Sequence, residues 1–168
     1  GRRTHGDRGL WEDNQIDAMS RIARFIKAEG AVAGIQLAHA GRKASERRPW
    51  HGETQVNDED IRLRSEFPWL AMGPTDEPYG DAWPAPKMMT DENINCVIKD
   101  FGSAAARADA AGFDAIEVYA AHGFLLHQFY SPLCNTRVDR WGGDFEGRIR
   151  LSLEVASSIR KYWPDGKA

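Results

Sequence analysis

IEVYAAHGFLLHQFYSPLCNTRVDRWGGDFEGR, residues 116–148, opens on a short apolar run and changes character just past Val118. Immediately upstream, Gly112 is a C-cap for a helix, and Phe113, Ala115, Ile116 and Val118 make a run of strand length. Tyr119 and His122 then stand three residues apart where strand gives way to loop. Both side chains are therefore expected in the space beyond the carboxyl end of a strand, which is where parallel α/β folds bind their ligands.

The flanks support a parallel α/β reading. Ile94, Val97, Ile98, Phe101, Ala105 and Ala108 recur on one stripe behind Thr90, so a long capped helix leads straight into the strand that delivers Tyr119. Further upstream, Ile16, Met19, Ile22, Ala23 and Ile26 predict a helix capped by Asp13 or Asn14 and ended by Gly30. Val32 to Leu37 predicts a second strand, and Ile149, Val155, Ile159 and Tyr162 predict a last helix over about Glu146 to Tyr162. Gly1 to Asp13 is polar and reads as a surface loop anchored by Leu10 and Trp11. Alternating helices and strands with right-handed crossovers specify a parallel sheet.

Between Glu46 and Met89 no helical period survives, and most of the prolines collect there. Trp50, Trp69 and Trp83 argue against disorder, so the segment is expected to be a partly ordered, lid-like excursion with a short extended stretch near Phe67 to Met72. Gln36, near the end of its strand, is expected to be buried and so to need partners; a neighbouring backbone group is the plain solution. His39, Arg42 and Lys43 follow it, the last two read as solvated charges without assigned chemistry.

Three stretches together resemble the Old Yellow Enzyme family of flavin-dependent reductases: residues 116–148, GIQLAHAGRKAS at Gly34 to Ser45, and WPAPKMMTDENI at Trp83 to Ile94. The likeness covers the whole chain, and LAHAGRKAS followed by RPW is most similar to the bacterial xenobiotic reductase branch. The resemblance implies an α/β chain forming part of a (β/α)8 TIM barrel, roughly its third to fifth βα units. Residues 1–168 would then be a partial flavin oxidoreductase domain, with the excursion at about 46–89 covering the top of the barrel. It also implies FMN as cofactor, NAD(P)H as reductant, and a small-molecule substrate with an activated C=C.

In the family's pattern Tyr119 and His122 occupy the pair that holds a substrate carbonyl oxygen by two hydrogen bonds, which is stabilisation of the oxyanion-hole kind. Gln36 matches the flavin-contacting glutamine, and its amide, donor and acceptor at once, suits the pyrimidine edge of a flavin. Arg137, Asp139, Gly142, Gly143 and Arg148 resemble a loop that is organised by ion pairs and tight turns. Three positions depart from the pattern. Tyr119 stands where histidine is usual, although its hydroxyl still donates; Phe124 stands where the family has a proton-donating tyrosine; Gly147 replaces an asparagine. From the residues alone, Tyr119 and His122 are equally a packed aromatic and a satisfied loop histidine. Tyr-x-x-His is also similar to trimethylamine dehydrogenase, so amine oxidation on FMN is an alternative, and a non-catalytic fragment or pseudoenzyme is another.

The bulk properties set limits. A complete (β/α)8 barrel needs about 250 residues, so a chain of 168 is expected to be an internal piece of a longer protein. The formal charge of −3 with interspersed signs gives no basic stripe, which disfavours nucleic acid, and no apolar run suits a membrane. Cys96 reads as helix packing and Cys134 as a loop residue; neither has metal or disulfide spacing, so a cytoplasmic location is expected. His122 and His127 lie about 140° apart by helical period and share no face, so no metal site is expected. A homo-oligomer is compatible with the sequence, which does not decide the oligomeric state.

Overall fold

The computed structural model describes residues 1–52 and 54–168. In chain order it has α1 (Ile16–Ala28), β1 (Gly34–Leu37), α2 (Asp58–Arg64), β2 (Met72–Gly73), β3 (Lys87–Met88), α3 (Asp91–Ala111), β4 (Ala115–Val118), α4 (Leu125–Tyr130) and α5 (Phe145–Tyr162). These residues divide into two compact units. One holds Gly1–Arg8, Ala38–Thr90 and Ala120–Arg150; the other holds Gly9–Leu37, Asp91–Tyr119 and Leu151–Ala168.

The second of these carries the parallel strands. β1 pairs with β4 in the register Gly34↔Ala115 through Leu37↔Val118. Strand side chains alternate between faces, which puts Ile35, Leu37, Ile116 and Val118 on one face and Gly34, Gln36, Ala115 and Glu117 on the other. α3 buries Ile94, Val97, Phe101, Ala105 and Ala108 of the expected stripe, together with Gly102 and Ala111, leaves Ile98 half-buried, and is ended by Gly112 at φ +89. The small residues of α3 allow close approach: a Cβ on Gly102 would lie 2.6 Å from Ser158 Oγ of α5. From α5 this unit buries Leu151, Val155, Ile159 and, just past its end, Trp163.

Several sequence expectations are corrected here. Tyr162 is 56% exposed, and Trp163 takes its place in the core, because the helix ends there and redirects the chain. α1 is preceded by a 3-10 turn, Asp13–Gln15, whose cap is Glu12; Glu12 and Gln15 close a capping box, so neither Asp13 nor Asn14 is the cap. β1 starts at Gly34, since Val32 is 76% exposed and unpaired with any strand. Cys96 is exposed on α3, outside its buried stripe.

The other unit is built largely from the excursion and the chain after β4. Its core is Ala40, Ala44, Ala71, Met89, Leu125, Leu126, Phe129 and Trp141. β2 and β3 form a short parallel pair, with Lys87 N donating to Ala71 O at 2.8 Å and Met89 N to Gly73 O at 3.0 Å. The excursion does contain a helix. Asn57 Oδ1 accepts from Glu59 N and Asp60 N, and Asp60 returns a bond to Asn57 N, a capping box that starts α2. Only Met72–Gly73 is strand in the stretch expected to be extended. Gly1–Arg8 is more than a surface loop: Thr4 is buried and bridges Glu46, and Arg3 forks onto the Glu46 carboxylate.

Candidate active site

β1 and β4 bring Gln36 and Tyr119 to the carboxyl edge of one strand pair. Tyr119 is the first residue past the paired register, and its N–H donates to Leu37 O at 2.9 Å, which extends the ladder by one step. Its side chain is half-buried. Gln36 is opposite Glu117, and both are exposed on the sheet face that carries Gly34 and Ala115. Gln36, expected to be buried, is exposed in this chain, and its side chain is not spent on the neighbouring strand.

His122 belongs to the other unit and is exposed at its surface. It has φ +55, unusual for a residue with a β-carbon, and Gly123 follows at φ +76. α4 holds this turn from below. Gly123 N donates to His127 Nδ1 at 3.0 Å, and Gln128 Nε2 donates to Gly123 O at 2.7 Å and to Ala40 O at 3.3 Å. Gln128 Oε1 accepts from Arg42 N, so this fully buried amide ties the turn to the loop after β1. Gly41 must be glycine for that: it has φ +61, and a Cβ there would lie 2.4 Å from Gln128 Oε1.

Sequence reasoning passed over Gln128, although a glutamine inside the apolar run LLHQFY was the available signal. Arg42 is not a solvated charge either. Its guanidinium is mostly buried and donates to Glu77 O, Pro78 O and Cys134 Sγ, the last at 3.1 Å. Lys43 Nζ donates to His122 O at 3.0 Å and lies over the rings of Tyr79 and Phe124. Phe124 itself packs on Ala40, Ala44 and Ala71 beside Trp69. His39 keeps some surface, yet loss of water lowers its pKa to about 3, so the ring is neutral and Nδ1 accepts from Gly41 N.

The model of the NADH:flavin oxidoreductase / NADH oxidase family matches residues 1–163. The chain belongs to that family. It is 45% identical over 98% of its length to an NADH:flavin oxidoreductase of Gibberella zeae, covering 40% of that protein. It is 38% identical over 97% of its length to an NADPH dehydrogenase of Bacillus velezensis, covering 42% of it. Thus the chain spans about two fifths of the length of the curated relatives it matches. Among solved structures, morphinone reductase superposes over 95% of the chain with a TM-score of 0.76 at 25% identity, covering 42% of that protein. The 6-hydroxypseudooxynicotine amine oxidase of Pseudomonas geniculata N1 superposes equally well, TM-score 0.76, at 28% identity over 95% of this chain and 22% of that one. This is the Old Yellow Enzyme fold, and the chain is part of its (β/α)8 barrel.

Within the flavin oxidoreductase chain, the loop after α4 is structural. Arg137 is buried; it donates to Pro74 O and Met89 O, both at 2.8 Å, and forks onto Asp139. That hydrogen bond, offset in part by desolvation, holds the Asp139 carboxyl below the usual carboxylate range. Asn135 Nδ2 bridges Phe129 O and Trp141 O, and Arg148 reaches Tyr130 O and Gly143 O. The exchange of the family's asparagine for Gly147 has a steric reason here: a Cβ at 147 would lie 2.0 Å from Gly142 O. Among the described residues no group of three or more His, Cys, Asp or Glu is placed to hold a metal ion, and no helix is long and apolar enough to cross a membrane.

Proposed function

We propose that the protein carrying this chain is an FMN-dependent oxidoreductase that takes reducing equivalents from NAD(P)H. Its substrate in this reading is a small molecule with an activated C=C, an α,β-unsaturated carbonyl or similar. The observation that carries the reading is the spacing of two donors, Tyr119 and His122, directly after a parallel strand in a chain of the flavin oxidoreductase family. Both donate to the substrate's carbonyl oxygen, drawing electron density out of the conjugated double bond. The residues present fit FMN: the Gln36 amide is exposed beside the carboxyl edge that Tyr119 continues and can pair with both acceptor and donor atoms of the pyrimidine edge. The chemistry FMN supplies when bound is hydride transfer to the alkene's β-carbon. The free cysteines Cys96 and Cys134 suit a cytoplasmic protein.

A second reading, oxidation of a C–N bond, is supported by the Tyr119-x-x-His122 spacing, similar to that of trimethylamine dehydrogenase, and by the 28% identity to a solved amine oxidase. Stopped-flow spectroscopy of the full-length flavoprotein separates the two. Activated alkenes are expected to reoxidise the reduced flavin, and amines are expected to leave the oxidised flavin unchanged. Rapid anaerobic flavin reduction by amines, with no reoxidation by any alkene, would replace the first reading by the second. A full-length protein without flavin absorbance would mark it as non-catalytic.

A further inference from the structure

We propose that Lys43 is a positioning residue for His122: its ammonium group fixes the left-handed turn from which the imidazole is presented to the ligand. The inference rests on the reading of His122 as a ligand-holding residue. A left-handed conformation at a residue with a β-carbon persists only where its surroundings over-determine it, and at His122 and Gly123 they do. Several backbone groups of the turn have fixed partners. Phe124 N donates to Ala121 O, Gly123 N donates to His127, and Gly123 O accepts from Gln128. The carbonyl of His122 itself accepts from Lys43 Nζ at 3.0 Å.

Lys43 comes from a different stretch of chain than the other partners, the 3-10 turn Gly41–Lys43, so it ties His122 to the segment that follows β1. Its stem runs along Gly123, where a Cβ would lie 3.5–3.8 Å from its last three heavy atoms. Its head is 4.6 Å from the Tyr79 ring centroid and 5.5 Å from that of Phe124. A compact cation with several N–H donors is what this place requires: one donor serves the carbonyl, and the charge is held between two ring faces. Among the described residues no carboxylate pairs with it, so its orientation is set by the carbonyl and the rings. A lysine so held is not at leave to wander, and the carbonyl it grips cannot flip toward the ordinary helical or extended regions without losing it.

The test uses the flavin-loaded full-length protein and 4-hydroxybenzaldehyde as probe, a phenol whose oxygen takes the two donors; its Kd is read by absorbance titration. Lys43→Met is expected to weaken binding about tenfold, the loss that follows when one hydrogen bond of the pair is misplaced. Lys43→Arg, which keeps a cationic donor, is expected to restore most of it. In a His122→Ala background the Lys43→Met change should have no further effect, because it acts through the imidazole. Wild-type affinity in Lys43→Met, alongside weakened binding in His122→Ala, overturns the proposal and leaves the function reading standing. An equal loss in both backgrounds also overturns it, as it would show a direct or global effect. Unchanged binding in His122→Ala overturns the reading of His122, and the proposal with it. Should Lys43→Met fail to fold, Lys43→Gln, which keeps a donor but not the charge or reach, must show the same loss through His122.

Discussion

Gln36 and Phe124 show how much of a site depends on what each side chain has left to give. Gln36 lies exposed at the end of a strand, with its amide uncommitted to the neighbouring strand and with Glu117 beside it in register. In the full-length protein Gln36→Leu is expected to weaken FMN retention by roughly 1–3 kcal/mol, the cost of leaving buried polar atoms of the cofactor unpaired; equilibrium dialysis of the flavin measures it. Phe124 has nothing to give a substrate: its ring packs on three alanines, and no proton is available from it. If reduction of an alkene needs a positioned acid, Phe124→Tyr supplies one, and such groups typically contribute about 10²–10⁴-fold in rate. Reduction of simple enones such as cyclohexenone should therefore accelerate, while strongly activated alkenes, whose stabilised carbanion collects a proton from water, should change little. Stopped-flow traces with both alkene types check this, and equal acceleration of both would remove the acid argument.

At the scale of elements, α2 is the informative case, because a seven-residue helix has too few internal bonds to stand on propensity alone. It rests on the Asn57–Asp60 capping box and on Arg47 and Arg64, which close on the buried Asp60 carboxylate. Asn57→Ala should cost about 1 kcal/mol, read as a drop in the denaturation midpoint with an unchanged slope. The capping box was present in the sequence as NDED but lay inside a proline-rich stretch, where periodicity gives no signal over so short a run. By contrast α3 and the strand after it were legible from their pattern, since one stripe of apolar residues ran along a helix of 21 residues and Gly112 ended it. The site was legible only in its types and spacings. Tyr119 and His122 could be named from the motif, but Lys43, which holds the His122 carbonyl, comes from distant sequence and leaves no periodic mark. Gln36, expected to be buried, is exposed in a chain that spans about two fifths of its relatives' length.

For the whole molecule the acid limit of stability follows from two groups of opposite type. His39 has its pKa lowered to about 3 in the fold, against the ordinary 6.5, by desolvation. Asp60 is raised by desolvation, but hydrogen bonds from Arg64, the Asn57 backbone and Arg47 prevail and bring it to about 2, against 3.8. In both cases the unfolded chain binds a proton that the folded chain refuses, so stability rises with pH across each window. The His39 contribution is complete above about pH 6.5 and is lost as pH falls toward 3; the Asp60 contribution is complete above about pH 4 and is lost toward 2. A formal charge of −3 at neutrality, from 22 basic and 25 acidic side chains, turns positive over the same range and adds self-repulsion. The Tm is thus expected to be flat above pH 6.5 and to decline in two stages below it. His39→Gln keeps an acceptor for Gly41 N but cannot take up a proton, so it should flatten the upper stage and leave the lower one in place. Calorimetry between pH 2 and 8 on wild type and variant measures both stages; an upper stage that survives the substitution would assign it to another group.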